Sequence, residues 1–254
     1  MRKVLKIAGI AILVLILGLA ACIPLGSSPR PEGAVSPQAD ELARTMTSAI
    51  NIEAWNNVRY VSWNFLGQHD FLWDKYANRA RVDWGKYRVY IDGGTLEGRA
   101  FKKDMELSGK DKEKAMTAAT EHFFNDAFWL NAPSKVFDEG VIRSTVELKN
   151  GQTGLLVTYS SGGTTPGDAY LWTIGEDGMP EHWKMWTQVL PVKGLGTSWE
   201  GWMELEGGAK ISTVHGAGPA NVTMIRELKS GPSLTALGEA EDALAERWFQ
   251  PFAP

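Results

Sequence analysis

The chain has 254 residues, with 26 basic and 30 acidic side chains, four histidines and one cysteine, and a formal net charge of −4. An acidic balance excludes a cationic nucleic-acid surface, and a lone cysteine excludes an intramolecular disulfide, a thiolate zinc cluster and a redox pair. Eleven tryptophans mark any core as heavily aromatic.

Arg2, Lys3 and Lys6 precede an uncharged run from Ile7 to Ile23, the layout of an export signal. A spanning helix needs about 20 apolar residues. This run is shorter and ends in small residues at Leu19-Ala20-Ala21-Cys22. That quartet resembles the lipobox of bacterial lipoproteins, whose cysteine is acylated before cleavage on its amino side. The resemblance implies a signal peptide over 1–21, lipidation of Cys22 with palmitate-type chains, and a membrane as partner through those chains. An uncleaved signal anchor is the alternative. Each buried methylene adds about 0.8 kcal/mol, so several chains hold firmly. Ile23 stands where an aspartate would resemble an inner-membrane retention signal. The expected location is therefore the outer membrane, facing the periplasm.

Residues 22–38 carry Pro24, Gly26, Ser27, Ser28, Pro29, Pro31, Gly33, Ser36 and Pro37 and read as an acylated cysteine followed by a flexible tether. Residues 39–254 form one folded domain, with no repeat and no second linker. Its first element is a helix from Pro37 to about Ile52: Ser36 can cap it, Asp40 and Glu41 suit its positive end, and Leu42, Met46 and Ile50 recur every fourth residue. The period then changes to two. Val61, Trp63 and Phe65 are followed by Phe71 and Trp73, then Ala80, Val82 and Trp84, then Tyr87, Val89 and Ile91, an antiparallel meander. A helix from about Lys110 to Asn125 interrupts it. Further strands are expected at 141–149, 154–159, 169–174, 181–190, 197–205, 211–215 and 221–228, and a last helix at about Leu237 to Trp248. The fold class is α+β, mainly antiparallel: one strongly curved sheet or half-barrel of about ten strands with helices covering its concave side.

Lipobox, tether, N-terminal helix, long meander and mid-chain helix together resemble the LolA/LolB-like superfamily of outer-membrane lipoprotein carriers. Phe123 to Arg143 and Leu155 to Trp202 look like a poorly characterised subfamily of it. The resemblance implies an incomplete barrel around a hydrophobic cavity under a helical lid, and it brings no catalytic residue with it.

Strand parity places Trp183 with Met185 on one face and Trp186 opposite, and it also sets Trp199 against Trp202. Each tryptophan reads either as core or as the lining of a ligand cavity. The expected ligand-binding residues are Trp63, Phe65, Phe71, Trp73, Trp129, Trp172 and Trp186. Trp129 is placed just beyond the mid-chain helix, as part of a lid or a hydrophobic plug.

The sequence offers no catalytic motif. Ser160-Ser161-Gly162-Gly163 lacks the first glycine of a nucleophile elbow and reads as a turn. His69, His122, His182 and His215 have no metal-ligand spacing. Asp70, Asp74 and Asp83 lie near His69 and read as a solvated face. No cofactor, metal or catalytic residue is expected. The reading is a non-enzymatic envelope lipoprotein that binds a lipid or an acylated ligand. A structural or interaction module with an envelope protein partner, and an envelope hydrolase, stay open.

Overall fold

The computed structural model of the protein describes residues 27–161, 166–217 and 220–250. The expected signal peptide, Cys22 and the start of the expected tether lie outside them, as do residues 162–165 of the expected serine-glycine turn.

Ser36 begins the first helix as its sequence dictates, with Oγ accepting from the Ala39 amide at 3.3 Å and Pro37 in the first turn. Helix α1 (Pro37–Ala49) ends before Ile52 because Asn51 turns left-handed (φ 57°) and its side chain caps a separate short helix, α2 (Ile52–Asn57). The meander follows as β1 (Tyr60–Phe65), β2 (His69–Asp74), β3 (Arg79–Trp84), β4 (Tyr87–Asp92), β5 (Gly98–Lys102) and β6 (Met105–Glu106). Helix α3 (Gly109–Asn131) runs on into a 3-10 turn at Ala132–Lys135. After it come β7 (Val141–Glu147), β8 (Thr153–Tyr159), β9 (Ala169–Ile174), β10 (Pro180–Trp186), β11 (Leu195–Ser198), β12 (Glu200–Glu204), β13 (Lys210–Ala217), β14 (Ala220–Thr223) and β15 (Ile225–Gly231).

All these strands pair antiparallel. They form a sheet β15-β1-β2-β3-β4-β5-β6, a sheet β11-β10-β9-β8-β7 and a small sheet β12-β13-β14. Strand β13 lies against both β11 and β15. The Gly216 amide donates to Ser198 Oγ at 2.9 Å and the Met224 amide to the Thr213 carbonyl at 3.0 Å. The three sheets therefore follow one another as a curved, open wall from β7 round to β6. This is the expected α+β half-barrel, with more strands than anticipated because β5 and β6 are too short to show a period and two expected strands are each divided.

One face of the wall is lined by Val61, Trp63, Phe71, Val82, Val89 and Ala100 on one side, and by Leu155, Val157, Trp172, Trp183 and Met185 on the other. Helix α3 covers the first set with Ala115, Met116, Ala119 and Phe123, and α1 covers the second with Ala39, Ala43 and Met46. At 1.5 Å per residue α3 is about 35 Å long, and its last turns bring Phe128 and Trp129 to the second set.

Four local expectations are corrected. Helix α3 continues past Asn125 because Asp126 is buried against His69, so the polar pair there is no break; Trp129 consequently lies inside the helix. The 197–205 strand is interrupted at Trp199, with Gly201 at φ +62°, so parity does not carry across it; Trp199 and Trp202 pack on the same core, ring centroids 6.3 Å apart. No α-helix forms over 237–248. Gly238 (φ +85°) ends a 3-10 turn, Thr235–Leu237, and after a run of turns a second one forms at Glu246–Trp248; Arg81–Glu239 and Arg79–Glu246 ion pairs hold the segment while Leu244, Trp248 and Phe249 cover Tyr60, Leu72 and Tyr90 on the outer face. The expected tether is docked from Ser27 onward: Ala34 bridges Thr145 in both directions at 2.9 and 3.0 Å, and Ser28 bonds the β10–β11 loop.

Candidate functional site

The interior under α3 is a band of aromatic rings in two groups, one toward each end of the helix. At the end formed by β1–β3, Trp63 stacks on Phe71 at 4.5 Å, and Trp73 meets Phe123 edge-on at 5.5 Å. At the other end Trp172, Trp183 and Trp199 lie within 5.0 Å of one another, Trp129 meets Trp183 at 5.0 Å, and His215 sits edge-on to Trp199 at 4.5 Å. Alternation along β9 and β10 aims Trp172 and Trp183 inward; on α3, Trp129 meets Trp183 and Trp199, and Phe123 meets Trp63, Phe71 and Trp73.

Polar atoms in this band lack partners. The indole nitrogens of Trp63, Trp73, Trp172, Trp183 and Trp199, the Thr197 hydroxyl and His215 Nε2 are all buried without a hydrogen bond among the described residues. His215 Nδ1 lies 3.2 Å from the Ser198 carbonyl, which can only accept, so Nδ1 carries the proton and Nε2 is left as an acceptor. Burial pushes the His215 pKa down to about 4. The site thus presents several indole donors, a hydroxyl that can donate or accept, and an imidazole acceptor on aromatic surface.

Of the seven expected ligand-binding residues, Trp63, Phe65, Phe71, Trp73, Trp129 and Trp172 all face this interior. Trp186 does not. It lies on the opposite face of β10 with Leu156, Ala169 and Leu171, and its indole donates to the Ser28 carbonyl at 2.8 Å. The reason is which face the helices cover: α1 and α3 pack on the uniformly apolar side of β10, the side of Trp183 and Met185. Trp183, Trp199, Thr197 and His215 were not singled out, although the parity of Trp183 pointed to that face.

A second cluster could not be read from spacing. His69 Nδ1 lies 2.7 Å from the Asp126 carboxylate, and His122, one turn earlier on α3, stacks on His69 with centroids 3.9 Å apart. Burial raises the Asp126 pKa above the ordinary aspartate value against the opposing bond from His69, and burial together with the adjacent His69 ring lowers that of His122. Asp70 and Asp83 point to the other face of the sheet, and Asp74 bonds Arg59 and its own turn. Neither imidazole bonds a hydroxyl nucleophile among the described residues.

Two clefts open nearby. One of about 530 Å³ is bordered by Arg81, Asp83, Arg88, Lys229 and Glu239 together with Trp84, Tyr87 and Phe101. The other, of about 260 Å³, lies at the seam between the first turns of α3 and the sheet, between Trp84, Tyr87, Leu107 and Ala115, with Lys102 and Lys114 at its rim.

Fold and site define an α+β half-barrel with an aromatic interior closed by a long helix. No family model matches the chain, and no curated protein matches it. Among solved structures, a DUF1329 family protein from Desulfovibrio piger ATCC 29098 is a distant neighbour, similar over 85% of this chain and 100% of that one, at a TM-score of 0.40 and 10% identity. No residue role is taken from it.

Proposed function

We propose that the protein is a lipoprotein of the bacterial envelope, anchored by acyl chains on Cys22, whose concave interior takes up a lipid or another acylated molecule beneath α3. The site of anchoring is the outer membrane on its periplasmic side, and the role is in lipid or lipoprotein trafficking rather than catalysis. The observation that supports this is the set of unpartnered indole nitrogens in the interior, two in the core on β1–β5 and three in the core on β8–β11. Each such group costs about 1–3 kcal/mol while it stays buried and unpaired. A ligand whose chain replaces aromatic contacts and whose ester or phosphate oxygens accept from the indoles relieves that cost. The seam cleft beside Trp84 and Leu107 is where α3 would part from the sheet.

A second reading, a structural or interaction module of the envelope, is favoured by a different observation: Trp63, Trp172 and Trp183 are fully buried in the interior, as core residues are. Titrating the full chain with a lysophospholipid brominated along its acyl chain decides between them. Saturable quenching of tryptophan emission, with lipid found by mass spectrometry in the freshly purified protein, supports the ligand. Unquenched emission and a lipid-free protein would leave the module reading.

A further inference from the structure

The loop joining β10 to β11 carries Val189-Leu190-Pro191-Val192, four apolar residues in a row, and Val189 is 68% exposed. A single exposed valine needs no explanation; the position of this loop does. Its lysine, Lys193, turns its ammonium back onto the loop's own backbone, donating to the carbonyls of Thr187 and Leu190. Leu190 packs back onto the core of the β7–β11 sheet, so the loop presents Val189 and Pro191 while its charge is bound within it.

The N-terminal segment is tied to this same loop. The Ser28 amide donates to the Lys193 carbonyl at 2.8 Å, the Lys193 amide donates to Ser27 Oγ at 3.2 Å, and the Trp186 indole holds the Ser28 carbonyl at 2.8 Å. Gly194, at φ +75°, permits the approach, since a Cβ there would lie 2.0 Å from Ser28 Oγ. Cys22 is five residues before Ser27. An extended chain covers at most about 3.6 Å per residue, so Cys22 is within about 18 Å of the loop's base.

We propose that the β10–β11 loop is a membrane-contact surface, with the exposed Val189 and Pro191 entering the interfacial layer of the bilayer that holds Cys22. The inference rests on acylation of Cys22. The short reach and the docked segment bring this part of the domain close to the lipid, and an apolar surface added to acyl chains makes a two-part anchor. A second copy of the chain or a protein partner on the same loop is the outcome that the experiment must separate.

The test uses the full chain, purified from membranes and reconstituted in phosphatidylethanolamine–phosphatidylglycerol vesicles. In a Val189→Cys variant an acylated Cys22 leaves one free thiol for an environment-sensitive fluorophore. Met105→Cys, on β6 at the far edge of the wall and 69% exposed, is the reference. Emission at position 189 should shift to the blue and be quenched by lipids brominated on their chains, while position 105 behaves as in water. Water-like emission at both positions overturns the proposal, and so does a blue shift at 189 that lipid quenchers leave untouched, which would mean a protein contact. Mass measurement of the N-terminal peptide separates the two readings: unacylated Cys22 removes both, whereas acylated Cys22 with position 189 in water removes the loop proposal alone.

Discussion

His215 shows how one buried side chain sets a pH response. Its imidazole is 1% exposed, packed against Trp129 and Trp199, and Glu200 is the charged neighbour that most favours its cation. Burial outweighs that help, and the folded pKa falls from 6.5 to about 4. The folded protein thus binds fewer protons than the unfolded chain between those values, so stability is full above pH 6.5 and is lost as pH falls toward 4. The loss amounts to about 3 kcal/mol for this group. Calorimetry from pH 7 to 4 should show the midpoint descending, and His215→Gln should descend less steeply; parallel curves would mean that other groups govern the acid limb. The unpartnered indoles beside it are an energetic cost of the same kind, polar atoms kept dry by the rings around them.

Among the elements, the N-terminal segment and α3 differ in what holds them. Residues Ser28 to Ala34 are fixed to the outer face of the β7–β11 sheet by hydrogen bonds, with one indole, Trp186, at their origin. Such an attachment opens locally, at far less than the global unfolding free energy. Trp186→Phe keeps the ring and removes the donor. It should speed hydrogen exchange at the Ser28 amide while leaving core amides of β9 unchanged, and equal protection in both proteins would show that the indole bond is dispensable. Helix α3 is held by packing, through Ala119 and Phe123 at one end and Phe128 and Trp129 at the other. Its polar anchor, Asp126 to His69, came from a turn whose Asn125-Asp126 pair looks like a helix end in one dimension.

In the molecule as a whole, α3 belongs to two cores that share few other residues. The core on β1–β5 and the core on β8–β11 each have their own strands, and Trp129 packs against both. The helix therefore couples them, and unfolding should be a single transition. Phe123→Ala, a truncation costing about 3–5 kcal/mol, should lower one calorimetric peak without splitting it. Two peaks, with only the first displaced, would mean that the halves fold independently.

The amino-acid order by itself determined the meander, the α+β class, the cap at Ser36 and the inward face of β1 to β4, because alternation and capping act between residues a few positions apart. Arg2, Lys3 and Lys6, the uncharged run after them and the lone Cys22, on which the proposed anchoring rests, lie outside the described residues. Tertiary structure alone decided which face of β10 the helices cover, and so removed Trp186 from the interior and placed Trp183 there. It also decided that Asp126 rather than Asp70 or Asp83 meets His69, since the partner arrives from a helix 57 positions away, and that the stretch read as a free tether is docked from Ser27. Each of these depends on contacts between distant segments, where local periodicity has no reach.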